Sequence, residues 1–288
     1  MGAGVRNMLV AITFFASMNV LIKMVPRIGP VEIVFFRSVV SFLISFITVQ
    51  RLGISIWGNN KKWLVIRGVA GSIGLLLFFS TIKEMPLASA VAIQYTSPIF
   101  TTILGIFIVK ERVYSIQWFF FLIAFLGVIL IQGFDPRVNP QQVIIGVSSA
   151  IASGVAYNSI RKLKLSDHPL VIIFYFPLIT IPITGTYLLF HGWKTPDLAE
   201  LIILLTIGVA TQFAQYFMTK AYQSDELSKV SSIQYLGIIL ALAFGYFLFD
   251  ETYTLKSFAG IMIILAGVIA NIWFKNRVGQ RVKKSRIS

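Results

Sequence analysis

Cysteine is absent, and with it go disulfides, thiolate metal sites and thiol nucleophiles. Charge is scarce too: 12% of residues are charged, 11 are acidic and 2 are histidine. Every carboxylate except Glu32 falls in a predicted loop or helix end, as do His168 and His191. No Asp or Glu is therefore available near a bilayer midplane as a proton relay. An intramembrane enzyme would need a nucleophile with its base, a carboxylate pair or metal ligands within the apolar segments. None occurs, so neither catalysis nor a metal or other cofactor is expected. No selectivity-filter loop or ring of charge marks a channel.

Apolar residues are what remains. They make up 57% of the chain, and mean hydropathy is +0.82, far outside the soluble range. A spanning helix takes about 20 apolar residues, so this length holds roughly ten spans and no soluble domain. Gly, Pro and charge clusters divide the runs into predicted helices at 5–25, 31–50, 63–82, 87–109, 115–133, 141–160, 168–190, 200–222, 229–249 and 255–274. Only Arg6 precedes the first run, and no small-residue cleavage site follows it, so the first span is expected to be retained.

A net charge of +14 would suggest nucleic acid in a soluble protein, but here the basic residues occupy short loops and the C-terminal segment. They read as topology signals, and no nucleic-acid partner is expected. With the N-terminus inside, 18 basic residues face the cytoplasm, Arg67, Lys110, Lys162 and Lys220 among them. Six face outward (Lys23, Arg27, Lys83, Arg137, Lys194 and Lys256), and Arg37 lies within a span. Both termini are thus predicted to be cytoplasmic, in a multi-pass protein of the cell inner membrane. Residues 275–288 are expected to form a basic tail on anionic cytoplasmic lipid.

The chain repeats itself. Residues 67–131 align without a gap on 207–271, and 15 of the 65 positions are identical. Ile93-Gln94-Tyr95 matches Ile233-Gln234-Tyr235, Glu111 matches Glu251, and Gly127-Val128-Ile129 matches Gly267-Val268-Ile269. At an offset of 139, Asn19, Lys23, Pro30 and Phe35 match Asn158, Lys162, Pro169 and Phe174. The predicted fold class is all-α integral membrane: ten transmembrane helices as two inverted five-helix repeats, 1–138 and 139–274. An odd number of spans per repeat sends the halves through the membrane in opposite directions, as alternating-access carriers require.

These features resemble the drug/metabolite transporter superfamily, in its ten-helix form with two EamA-type domains. The residues that carry the resemblance are Phe36-Arg37 in the second span, Arg67-Gly68 opening the third, and a Glu after the fourth and ninth spans, at Glu111 and Glu251. The resemblance implies a secondary carrier whose cavity is lined by spans 1–4 and 6–9, with spans 5 and 10 as support. It names no substrate.

Candidate site residues follow from polar groups inside apolar segments. Arg37 admits two readings: an anchor for a substrate carboxylate or phosphate, or a structural cation satisfied by helix-end carbonyls or by snorkelling. Gln212, Gln215, Tyr216 and Thr219 share one face of the eighth span and read as cavity lining, with interhelical hydrogen bonding as the alternative. Gln94 and Gln234 are symmetry partners, as are Asn19 and Asn158. Tyr95, Tyr175 and Tyr216 could pack an apolar substrate moiety. Pro98, Pro177 and Pro182 are expected to free backbone carbonyls. Lys23 with Glu251, and Lys162 with Glu111, are candidate gate pairs at opposite mouths; favourable placement of Glu at helix N-termini is the competing reading.

The expected function is secondary transport, with export as the predicted direction, of a small polar metabolite such as an amino acid or a related zwitterionic or anionic compound. The alternatives are uptake or antiport of a nucleoside-containing metabolite, and a lipid-translocating or structural role. Oligomeric state is not legible in the sequence.

Overall fold

A computed structural model of the 288-residue chain describes residues 3–110, 114–134, 137–224, 230, 233, 234 and 236–284. Its helices are α1 (Ala3–Lys23), α2 (Pro30–Arg51), α3 (Lys61–Glu84), α4 (Leu87–Gln94), α5 (Ser97–Ile108), α6 (Ser115–Phe134), α7 (Pro140–Lys162), α8 (Pro169–His191), α9 (Leu198–Ser224), α10 (Leu236–Phe249) and α11 (Leu255–Lys284). No strand occurs among the described residues. With α4 and α5 as the halves of one span, these make ten spans, and seven segments are individually long and apolar enough to cross a bilayer. α11 runs to Lys284, through much of the segment expected to be a tail.

Local chemistry sets the boundaries. Pro30, Pro140 and Pro169 each open a helix, where a missing N–H costs nothing and the fixed φ suits the first turn. The Asn60 and Asn139 side chains accept from Trp63 N and Gln141 N, satisfying N-terminal donors of α3 and α7. The fourth span breaks at Tyr95-Thr96, with Pro98 in the first turn of α5. A proline there cannot donate to the Gln94 carbonyl four residues back, so the ladder stops beside Gln94 and Tyr95. Pro177 and Pro182 lie inside an otherwise continuous α8.

The duplication is visible in the packing. α1 lies against α9, and its counterpart contact is α3 against α7; α2 packs on its own counterpart α8, and α6 on α11. The backbone repeats as well. Lys110 (φ 57°) and Asp250 (φ 49°), the non-glycine residues with positive φ among the described residues, occupy equivalent places before Glu111 and Glu251, and such residues are uncommon enough for the coincidence to carry weight.

Loops tie the halves together through carboxylates. Glu32, in the first turn of α2, accepts from Gly29 N at 2.7 Å and from Lys194 N in the α8–α9 loop. At the other end Asp167, just before α8, accepts from Asn59 N at 2.6 Å and Asn60 N at 3.3 Å in the α2–α3 loop. Gly58 adopts φ +60° beneath this clamp, and a Cβ there would sit 2.7 Å from the Asp167 carboxylate, so the turn requires glycine. Large apolar side chains such as Leu189, Phe107 and Phe247 stay exposed on the outside, as a lipid-facing surface demands.

Candidate functional site

A cavity of about 90 Å³ lies among α1, α3, α4, α7, α8 and α9. Its polar wall contains Asn19, Arg67, Gln94, Tyr95, Ser153, Tyr157, Gln215 and Gln234; Ile12, Phe15, Phe78 and Phe176 form much of the apolar wall. Both repeats contribute, as expected where inverted halves meet around a midplane site.

Arg67 dominates this space. It is 2% exposed, donates to Gln215 Oε1 at 3.0 Å, and lies over the Phe176 ring with its guanidinium carbon 4.9 Å from the centroid. Its Nε and Nη1 have no hydrogen-bond partner. Gly71, one turn on, makes the room: a Cβ there would come within 2.2 Å of Arg67 Nη1 and 2.8 Å of the Phe176 ring. Around it, Gln94 is tied to α7, donating to Ser153 Oγ at 2.9 Å and accepting from Ser149 Oγ at 2.7 Å. The Tyr157 hydroxyl interacts with the Ser153 and Gln234 side chains. Asn19 Oδ1 and Gln234 Oε1 are buried acceptors without a donor.

Of the residues singled out in the sequence, Asn19, Gln94, Tyr95, Gln215 and Gln234 reach the cavity wall. The others are placed elsewhere. The face expected on the eighth span, now α9, is shared between neighbours: Gln212 accepts from Ser41 Oγ at 2.5 Å and donates to Ser45 Oγ at 2.8 Å on α2. Tyr216 lies beneath Lys220, whose Nζ is 4.8 Å from its ring centroid. Asn158 donates to the carbonyls of Thr101 and Gly154, which seats it between α5 and α7. Tyr175 donates to Trp57 O at 2.8 Å. Arg37 is fully buried behind the wall, over the rings of Phe79 and Phe176 at 5.8 and 5.2 Å.

Lys23 and Glu251 form an ion pair. Glu251 also accepts from Leu87 N, at 3.0 and 2.9 Å for its two oxygens, and from the Tyr253 hydroxyl at 2.5 Å. Burial first, and then this hydrogen bond, hold the Tyr253 phenol above its ordinary pKa, so it remains a donor. At the opposite end Lys162 Nζ reaches the Ile108 carbonyl at 3.5 Å; Glu111 lies outside the described residues.

Sequence reasoning counted Arg67 among loop cations and passed over Phe176 and Ser153. The available signal was the position of Arg67, six residues into α3, about 9 Å along a helix axis.

A ten-span bundle of inverted repeats around a small polar cavity defines a multi-pass membrane transporter rather than an enzyme. The pattern of the EamA-like transporter family matches residues 2–133 and again 141–273, and the chain belongs to that family. It is 28% identical over 271 residues to the pseudopaline exporter CntI of Pseudomonas aeruginosa, covering 93% of this chain and 95% of the relative. To the S-adenosylmethionine uptake transporter of Rickettsia prowazekii it is 23% identical, over 87% and 85% of the two chains. A solved structure 14% identical in sequence shares the fold, with a TM-score of 0.72 over 97% of this chain and 98% of the other.

Proposed function

We propose that the chain is a secondary carrier of the cell inner membrane that exports a small metabolite bearing a carboxylate, of the amino-acid or related zwitterionic type, by alternating access. The observation that carries this reading is Arg67. A buried cation left unpaired costs several kcal/mol, and an intramembrane ionisable residue lining a cavity is a candidate ligand anchor. Arg67 meets a glutamine and a phenylalanine ring, and its guanidinium fork matches a carboxylate bidentately.

Acceptors complete the complement. Asn19 and Gln234 line the same cavity and carry carbonyl oxygens without a donor, a complement for the ammonium end of a zwitterion, while Tyr95, Phe15 and Phe78 offer apolar contact. The basic-residue bias supports cytoplasmic termini, an orientation in which the Lys23–Glu251 pair stands at the outer mouth. Lys162 and Glu111 would be its counterpart at the inner mouth, and residues 1–138 and 139–274 the moving halves. The exporter relative supports the outward direction.

Thermal-shift screening tests this: a ligand that binds only the folded protein at about 100 times its Kd adds roughly 2.7 kcal/mol of stability. Amino acids and monocarboxylates are expected to raise the melting temperature of the wild type and not of Arg67→Gln. Stabilisation by carboxylate-free amines alone would overturn the reading.

A second reading, uptake or antiport of a nucleoside-containing metabolite, is favoured by the S-adenosylmethionine uptake relatives. It requires the walls to part, since 90 Å³ is well below the roughly 300 Å³ of pockets for drug-sized ligands. Vesicle transport competed by nucleosides, and not by simple amino acids, would select it.

A further inference from the structure

Arg37 and Arg67 lie over the same ring. Their guanidinium carbons are 5.2 and 4.9 Å from the Phe176 centroid, so they are at most about 10 Å apart, the two distances laid end to end. Arg67 faces the cavity; Arg37 is shut off from it, 0% exposed, with Nε, Nη1 and Nη2 all lacking a hydrogen-bond partner. Two cations in a membrane interior with no carboxylate paired to either among the described residues form an expensive arrangement, because each pays desolvation and neither is offset by an opposite charge. Contact with an aromatic face returns only about 2 kcal/mol.

The pair is confined to one repeat: at the offset of 139 the counterpart of Arg37 is Phe176 itself, and at 140 that of Arg67 is Ile207. The positive charge therefore belongs to one repeat, and the second repeat supplies the ring that both cations contact. That ring is a rotatable side chain on α8, one residue before Pro177.

We infer that Arg37 is a second anion subsite, and that the carried solute is an amino acid derivative with two acidic groups. One is held by Arg67, and the other reaches Arg37 when the Phe176 ring swings aside. This inference rests on the carboxylate reading of Arg67 and specifies it further. The two acidic groups must bridge cations no more than about 10 Å apart, which suits diacids with a short chain between their carboxylates. Binding such a solute neutralises both buried charges at once, and a monoacid leaves one unpaired.

The test measures dissociation constants of the purified full-length protein for L-alanine, L-aspartate, L-glutamate and L-2-aminoadipate. At least one diacid should bind about ten-fold or more tighter than L-alanine, the scale of one charged hydrogen-bonding contact. In Arg37→Gln that advantage should disappear while L-alanine affinity stays within about two-fold; Arg37→Lys, which keeps a charge in the same place, should retain part of it. Equal wild-type affinity for monoacid and diacids overturns the inference without any variant, and so does an advantage undiminished in Arg37→Gln. Failure of the underlying reading looks different: all four acids bind Arg67→Gln as they bind the wild type, or none binds at all.

Discussion

Lys23, the last residue of α1, is paired with Glu251, 228 residues further along the chain, and the same carboxylate accepts the first N–H of α4. One side chain thus joins α1, the broken fourth span and the loop after α10. Charge reversal at Lys23 removes one of these links, whereas Glu251→Lys removes all of them. Transport should fall for each single variant, more for Glu251→Lys. Lys23→Glu with Glu251→Lys should recover part of the loss, with a coupling of about 0.5–3 kcal/mol. Strictly additive losses in a vesicle assay would show that the contact has no functional weight.

Gly71 provides a way to move Arg67 without removing its charge. The methyl of Gly71→Ala would collide with Arg67 Nη1 and the Phe176 ring, both distal parts of side chains that can yield, so the protein should still fold. Affinity for carboxylate ligands should weaken on the order of ten-fold with little loss of purified yield. Calorimetric titration of both proteins decides it; unchanged affinity would mean that the observed Arg67 pose is not needed for binding.

Two glutamines on α9 should behave differently although they are three residues apart. Gln212 is consumed by Ser41 and Ser45, so Gln212→Ala should lower stability by about 1 kcal/mol and leave ligand affinity alone. Gln215 supports Arg67, so Gln215→Ala should weaken binding. Comparing melting temperatures and dissociation constants for the two variants would expose the reverse pattern.

Gly127 lets α6 and α11 touch backbone to backbone: a Cβ there would lie 2.6 Å from the Gly260 carbonyl and 2.8 Å from Ile264 N. Gly127→Ala should cost about 1–3 kcal/mol through overpacking, seen as a lower melting temperature, and should not change ligand affinity. A binding defect would give these spans a part beyond support.

Much of the architecture was legible because a bilayer imposes simple rules. Run length, proline and glycine punctuation and an odd number of spans per repeat are local or periodic properties, and they predicted the ten spans and the inverted halves that the structure displays. Pro98 marked a lost backbone bond in the fourth span, but not that the helix would break there, since Pro177 and Pro182 leave α8 continuous. For the site, Asn19, Gln94, Tyr95, Gln215 and Gln234 were legible as polar residues in apolar runs. Gln212 looked the same in one dimension, yet its two serine partners lie some 170 residues away on α2 and become neighbours only through packing.

The sequence by itself determined that this chain crosses a membrane many times, in two related halves, with few charges to spare inside. Hydrophobic transfer and backbone hydrogen bonding depend on composition and period, which any reader of the sequence can count. Only the tertiary structure decided which charges share a space. Arg67 resembled a loop cation until α3 was seen to carry it to the cavity wall, and Arg37, open to an anchoring or a structural reading in the sequence, is enclosed by α2 and α8 against Phe176. The facing of a helix is set by contacts between segments far apart in the chain, and no local pattern encodes those contacts.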